Sequence, residues 1–357
     1  MRQRVIGRNE IAKLAGVSGA AVSYALSPAN AYRVSKETRE RIRKLVEELG
    51  YQPFFPGKTL ATGKSYHVGV LLPSEHLLSS QHLMAIVRGI AGKTAKTDYN
   101  LTLFFRSDLD KCLASIESRR IDALFVVKGA YDFPTSRFLK GFPVVIVDGS
   151  CDTAGIDTIC NVRSDHEGMI DNAINYFLTK SCKSVLGILE GSHDTGLDAT
   201  IAGAFSSQCA RSSSKFFGSI MKPSRDFSAQ MRSVLKTGRR WDAFLINNEC
   251  LSNLALEALE EAGQREGKDF HMIVFSTANQ RFSCNSYRNK VRCKLLYVEE
   301  EQRIGEKAWE VFETIISRKG NENKYLIPYR LWESPEKPLP CHWNSEAVFV
   351  GRRPQKR

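Results

Sequence analysis

A chain of 357 residues, 42% hydrophobic and 25% charged, exceeds one ordinary core and has the composition of a soluble globular protein of two or three domains. The formal net charge is +12, and residues 1–64 carry twelve Lys and Arg against five acids, so +7 of the excess falls in the first sixth of the chain. Charge concentrated in this way favours an anionic partner such as nucleic acid. Nine cysteines, scattered between Cys112 and Cys341 with no CxxC pair, read as reduced thiols of a cytoplasmic protein rather than a disulfide framework. The N-terminus MRQRVIGRNE lacks the apolar run of a signal peptide, and no stretch reaches the roughly 18 apolar residues of a membrane span, which argues against a secreted or membrane protein.

Three short helical patterns come first. Between Glu10 and Ala15, Ile11 and Leu14 are expected on one face, and Gly16 breaks the pattern. Ser18 caps a second helix carrying Val22, Tyr24 and Leu26. A polar loop, SPANAYR, leads to Ser35, which caps a third helix with Ile42, Leu45, Val46 and Leu49 on one stripe and Gly50 at its end. Ala12 is small where two helices approach, and Gly16 allows a turn that a β-carbon would obstruct. Two helices joined in this way read as a helix-turn-helix, with residues 19, 20, 23 and 24 directed into a DNA major groove.

Residues 51–64, YQPFFPGKTLATGK, are punctuated by Pro53, Pro56, Gly57 and Gly63 and read as a hinge. From His67 the pattern changes to short apolar strands alternating with helices: HVGVLL, NLTLFF, IDALFVV, PVVIV, then SVLGIL, WDAFLI and HMIVF, with helices such as MIDNAINYFL and LALEALEEAG between them. That alternation predicts parallel sheets with crossover helices, in two units. The stretch after Ser334 is Pro-rich and basic, without leucine heptads.

The runs IAKLAGVSGAAVSYAL, VSKETRERIRKLVEELGYQP and KTLATGKSYHVGVLLP, in this order, resemble the lactose-repressor/galactose-repressor (LacI/GalR) family of transcription regulators. The resemblance extends more loosely to INNE, GKDFHMIVF and IPYRLWES, up to about Ser334. It implies an all-α helix-turn-helix head (1–52), a hinge (53–64), a two-lobed α/β sensor domain of the periplasmic-binding-protein type (65–334) and a basic tail (335–357). The implied partners are a double-stranded DNA operator, a small-molecule effector of carbohydrate type and a second copy of the chain, with no cofactor, metal or membrane.

In the family, two residues after the cap and a later arginine read bases; the matching positions are Gly19, Ala20 and Tyr24, none of which can make the bidentate guanine contact of an arginine. Readout is then expected from Ser23, Tyr24, thymine methyls and DNA shape. Ser18, Ser35, Lys36, Thr38 and Arg39 are the implied phosphate contacts. The family's hinge forms a short helix on DNA and wedges a leucine between base pairs; Leu60 holds that position beside Lys58. Pro56 suits a first helical turn, whereas Gly57 lowers helix propensity by roughly 1 kcal/mol.

The implied effector positions are Asp148, Asp165, His166, Thr200, Asn248, Glu249 and Ser276. Thr200 stands where the family has an effector-binding arginine, and Ser276 where it has an acid. Asp165, His166, Asn248 and Glu249 serve equally well as helix caps. The two departures leave an atypical effector, or an effector-independent architectural DNA-binding protein, as the alternative. GxGxxG, GxxxxGK[ST], HExxH and GxSxG are all missing, so the sequence is read as that of a regulator and not an enzyme.

Overall fold

The computed structural model describes residues 6–27, 30–51, 55–127, 141–149, 158–189, 196–212, 216–277, 295–317 and 324–333. The chain divides into two units, Met1–Tyr66 and His67–Arg357.

The first unit holds helices α1 (Arg8–Ala15), α2 (Gly19–Leu26), α3 (Lys36–Glu48) and α4 (Phe55–Thr62). Gly16 ends α1 in the left-handed region at φ 63°, donating its N–H to the Ala12 and Lys13 carbonyls. Ser18 caps α2 by accepting the Ala21 N–H at 3.1 Å, and Ser35 caps α3 by accepting that of Thr38 at 3.3 Å. Ile11, Ala12, Ala15, Val22, Ala25, Ile42 and Tyr51 form the small core, with Leu45, Val46 and Leu49 packed against it. Leu14 does not join it: the side chain is 57% exposed. The buried stripe of α1 centres on Ala15, and Leu14 lies roughly 100° around the helix from that centre. The SPANAYR segment contains a 3₁₀ turn, Ala31–Arg33, which buries Ala31. The hinge stretch contributes α4, with Pro56 in its first turn and the Thr62 hydroxyl bonded back to the Lys58 carbonyl at 2.9 Å.

The second unit is α/β. Its first sheet has strand order β11-β5-β4-β3-β1-β2, all parallel, from β1 (His67–Leu72), β2 (Asn100–Phe105), β3 (Ala123–Val127), β4 (Val144–Val147), β5 (Ile159–Ser164) and β11 (Lys324–Ile327). The second has the order β12-β10-β9-β8-β6-β7, from β6 (Ser184–Ile188), β7 (Phe217–Met221), β8 (Ala243–Ile246), β9 (His271–Thr277), β10 (Leu295–Glu299) and β12 (Arg330–Glu333). One strand departs from the expected all-parallel arrangement: β12 runs antiparallel to β10. IPYRLWES accordingly splits between two strands in different sheets rather than forming one final strand. The central strands are buried on both faces, which is why they read as unbroken apolar runs.

The helices are α5 (Gln81–Thr94), α6 (Leu109–Glu117), α7 (His166–Thr179), α8 (Gly196–Ser212), α9 (Phe227–Lys236), α10 (Glu249–Glu261) and α11 (Glu301–Ile316). The chain passes between sheets three times, from β5 into α7, from β10 into α11 and from β11 into β12; α7 packs on the second sheet, α11 on the first. Helices α5 and α11 meet through glycine: a β-carbon on Gly89 would strike the Gln302 carbonyl oxygen, and one on Gly305 that of Ile86. Beside that contact, Trp309 stacks on Phe125 at 6.1 Å and meets Phe312 edge-on at 5.1 Å. The expected basic tail, 335–357, lies outside the described residues.

Candidate nucleic-acid interface and effector cleft

In a helix-turn-helix the second helix enters the major groove by its N-terminal residues. Here that helix, α2, has the sequence GAAVSYAL and carries no charged residue. Val22 and Ala25 are its buried face, leaving Ala20 and Ser23 exposed and Gly19 and Tyr24 half-buried. Ser23 is less available to a base than its position suggests. Its hydroxyl donates to the Gly19 carbonyl at 3.2 Å and accepts from Arg8 Nη1 at 3.5 Å. A helical serine readily satisfies itself on the carbonyl four residues back.

Two arginines outside α2 fill the space its small residues leave. Arg8, the first residue of α1, lies across Gly19, with Nε 3.1 Å from where a β-carbon there would stand. Arg33, closing the 3₁₀ turn, places its guanidinium 5.2 Å from the Tyr24 ring centre and 5.6 Å from that of Tyr32. Its Nε donates to the Tyr32 hydroxyl at 3.2 Å, and this bond and one with Tyr24 raise its pKa further. Ser35, Lys36, Thr38 and Arg39 gather at the start of α3, where Ser35 Oγ donates to Thr38 Oγ1 at 2.9 Å. The first-turn N–H groups and two cations make that end suited to phosphate.

On α4, Leu60 is 87% exposed, the most exposed of the large apolar side chains described. Lys58 lies over the Tyr66 ring at 4.4 Å. An apolar side chain held out from a short helix beside a cation is the arrangement of a minor-groove wedge.

In the second unit the strand orders place β1 between β2 and β3, and β6 between β7 and β8. Each sheet therefore has a switch point, and ligands of such sheets bind beyond the C-terminal ends of the strands. Asp148 follows β4, Asp165 and His166 follow β5, Asn248 follows β8, and Ser276 is the last residue but one of β9. Thr200 is the fifth residue of α8 and Glu249 the first of α10; their side chains, and that of Ser276, are outside those described.

Two of the expected residues are structural caps. Asp165 Oδ1 accepts the Gly168 N–H at 2.9 Å, and Asn248 Oδ1 that of Leu251 at 3.2 Å. The backbone N–H of Asp165 also donates to the Ile327 carbonyl at 2.8 Å, tying two crossings together. His166 is 2% exposed and its Nδ1 bonds the Tyr329 hydroxyl at 2.8 Å, joining the crossing after β5 to the one before β12.

Asp148 sits at φ 53°, a left-handed conformation that costs a non-glycine residue energy and is found at ligand and switch sites. Its Oδ2 meets His82 Nε2 at 2.7 Å, while His82 Nδ1 faces Glu301 Oε1 at 3.7 Å. Glu301 is wholly buried at the crossing from β10 to α11. The imidazole thus lies between two buried carboxylates from the end of β4 and the start of α11. Sequence reasoning missed His82, Glu301, Tyr329, Arg8 and Arg33. Glu301 belongs to an acidic run, 299–301, that reads as a solvated helix start. His82 stands alone in sequence, and Tyr329 lies within IPYRLWES, which reads as a strand and not as a site.

A helix-turn-helix head followed by a body of two six-stranded, switch-point sheets defines a class: transcription regulators with a periplasmic-binding-protein-like domain. The comparisons agree. Residues 9–53 match the family described as bacterial regulatory proteins, lacI family. The chain is 27% identical to the transcriptional regulator GalR of Streptococcus thermophilus over 283 residues, 75% of this chain and 81% of that one. It is 31% identical to the regulator IdnR of Escherichia coli over 153 residues, 42% of this chain and 44% of that one. The match to IdnR, like that to the fructose operon regulatory protein of Vibrio cholerae, spans less than half of the relative's length. Among solved structures, the lac repressor dimer bound to operator and the anti-inducer ONPF superposes with a TM-score of 0.62 at 17% identity, covering 92% of this chain and 98% of that one. The complex of the regulator CelR with cellobiose gives 0.55 at 17% identity, covering 91% and 98%. The head thus matches the lacI family over residues 9–53, and the chain as a whole is similar to regulators of the LacI/GalR type in sequence and in fold.

Proposed function

We propose that this protein is a cytoplasmic, dimeric, sequence-specific DNA-binding repressor whose operator affinity is set by a small molecule held between the two sheets of its second unit. The observation that carries the reading is α2: a capped recognition helix with exposed Ala20 and Ser23, with Arg8 laid over its first turn and Arg33 over Tyr24. The head is assigned to residues 1–52, the hinge to 53–64 and the sensor to 65–334. In a dimer, two heads read two major-groove half-sites, and two Leu60 side chains enter the minor groove between them. The relative named a fructose operon regulatory protein and the cellobiose complex of CelR support a carbohydrate effector. Thr200 and Ser276 in place of an arginine and an acid favour an uncharged one.

The proposed role is one of binding. Among the described residues no helix is long and apolar enough to cross a membrane, and no group of His, Cys, Asp and Glu could hold a metal ion. The effector acts by binding one lobe arrangement better than another and so shifting the DNA-competent population. The test is selection of duplexes from a random pool by the purified protein, followed by a thermal-shift screen with neutral sugars. A palindromic motif with a flexible central pyrimidine–purine step, and a sugar that raises the melting temperature and changes operator affinity, are expected. Enrichment of no sequence would refute the reading.

A further inference from the structure

Direct readout of guanine needs a bidentate donor at O6 and N7, which arginine supplies best. No residue of α2 can supply it. Arg8 can. It is an exposed side chain rooted on α1, yet it is laid over the first turn of α2, its guanidinium carbon 3.7 Å from the β-carbon position of Gly19 and its Nη1 bonded to Ser23. The arrangement has a sequence requirement: at 3.1 Å, any side chain at position 19 would crowd the Arg8 Nε. Nor does the site serve the helix that carries it, because a cation at the first residue of a helix opposes the helix dipole. With Ser23 occupied by Gly19 and Arg8, the group left to face a base edge on this turn is the guanidinium.

We propose that Arg8 is a specificity-determining residue, reading one guanine in each half-site across Gly19, so that the recognition surface is built jointly by α1 and α2. The inference rests on the DNA-binding reading given above.

Selection from a random pool is run with the wild type, Arg8→Ala and Gly19→Leu, the last displacing Arg8 without removing it. The wild type is expected to enrich a half-site with one strongly preferred guanine. Arg8→Ala should enrich the same half-site with that position degenerate, and Gly19→Leu should lose the same guanine preference. On the wild-type operator, replacing that guanine by 7-deazaguanine, which removes N7 and keeps O6, should weaken the wild type about 2- to 12-fold, as loss of one bond of a bidentate pair does, and leave Arg8→Ala unaffected. A motif unchanged in Arg8→Ala, or a loss of affinity equal for all sequences, overturns this inference and leaves the regulator reading standing. Enrichment of no sequence by the wild type overturns both. Circular-dichroism melting confirms that each variant is folded; should Gly19→Leu unfold, the Arg8→Ala and 7-deazaguanine comparison decides alone.

Discussion

Leu60→Ala separates DNA affinity from stability. Leu60 is 87% exposed, so truncating it removes almost no packing and should change the head's stability by less than about 0.5 kcal/mol. If the side chain is buried between base pairs in the complex, the three carbons lost are worth about 2.4 kcal/mol at ~0.8 kcal/mol per carbon, or about 60-fold in affinity per protomer. Two protomers at one site give about 4.8 kcal/mol, near 3,000-fold. The loss should fall on the selected site and be much smaller on random DNA, where no wedge forms. Fluorescence anisotropy gives the affinities, and gel mobility of circularly permuted duplexes gives the bend angle. Affinity within about threefold of wild type with an unchanged bend would refute the wedge and reduce α4 to a spacer.

The remaining predictions concern other parts of the chain. Gly305→Ala places a β-carbon against the Ile86 carbonyl and forces α5 and α11 apart, which should cost about 2–3 kcal/mol and lower the melting temperature by about 5–10 °C; an unchanged melting temperature would mean the contact is looser than described. Gly168→Ala drives a β-carbon onto the Asp165 carboxylate, so it should remove the α7 cap at a cost of about 1 kcal/mol, readable by urea titration. Arg33→Ala should weaken all DNA sequences alike and reduce the salt slope by about one per protomer, as loss of a phosphate contact does; loss of a single base preference would contradict this. Burial pushes the Cys112 thiol up to about 12 and those of Cys182 and Cys209 to about 11, the last two from desolvation first and, for Cys182, the nearby Asp242 charge second. These three should resist alkylation at pH 8 in the native protein and react on unfolding, as read by mass spectrometry.

Much of the head was legible in the sequence because its signals are local. Caps at Ser18 and Ser35, the left-handed Gly16 and the Ile42–Leu49 stripe each follow from residues a turn apart. The strands were legible for a similar reason: HVGVLL and PVVIV are buried on both faces and show as uninterrupted apolar runs. What failed depended on partners distant in sequence. Leu14 has the spacing of a core residue, and only the direction of α2 and α3 leaves it outside. IPYRLWES reads as one strand because nothing local marks the passage from β11 into β12. Arg8 stands eleven residues before Gly19, the first residue of the helix whose surface it completes, and fifteen before Ser23, and no periodicity links them. The meeting of His82, Asp148 and Glu301 brings together residues up to 219 positions apart, at the ends of β4 and the starts of α5 and α11.

The central claim is specific DNA binding by the head, and the most direct measurement is the ratio of affinities for the selected duplex and a scrambled duplex of equal composition, followed from low to physiological salt. The account predicts a ratio of about 1,000 or more that persists as salt rises, while both affinities fall. Equal affinities for the two duplexes, vanishing together with salt, would show a protein that holds phosphate alone and would contradict it.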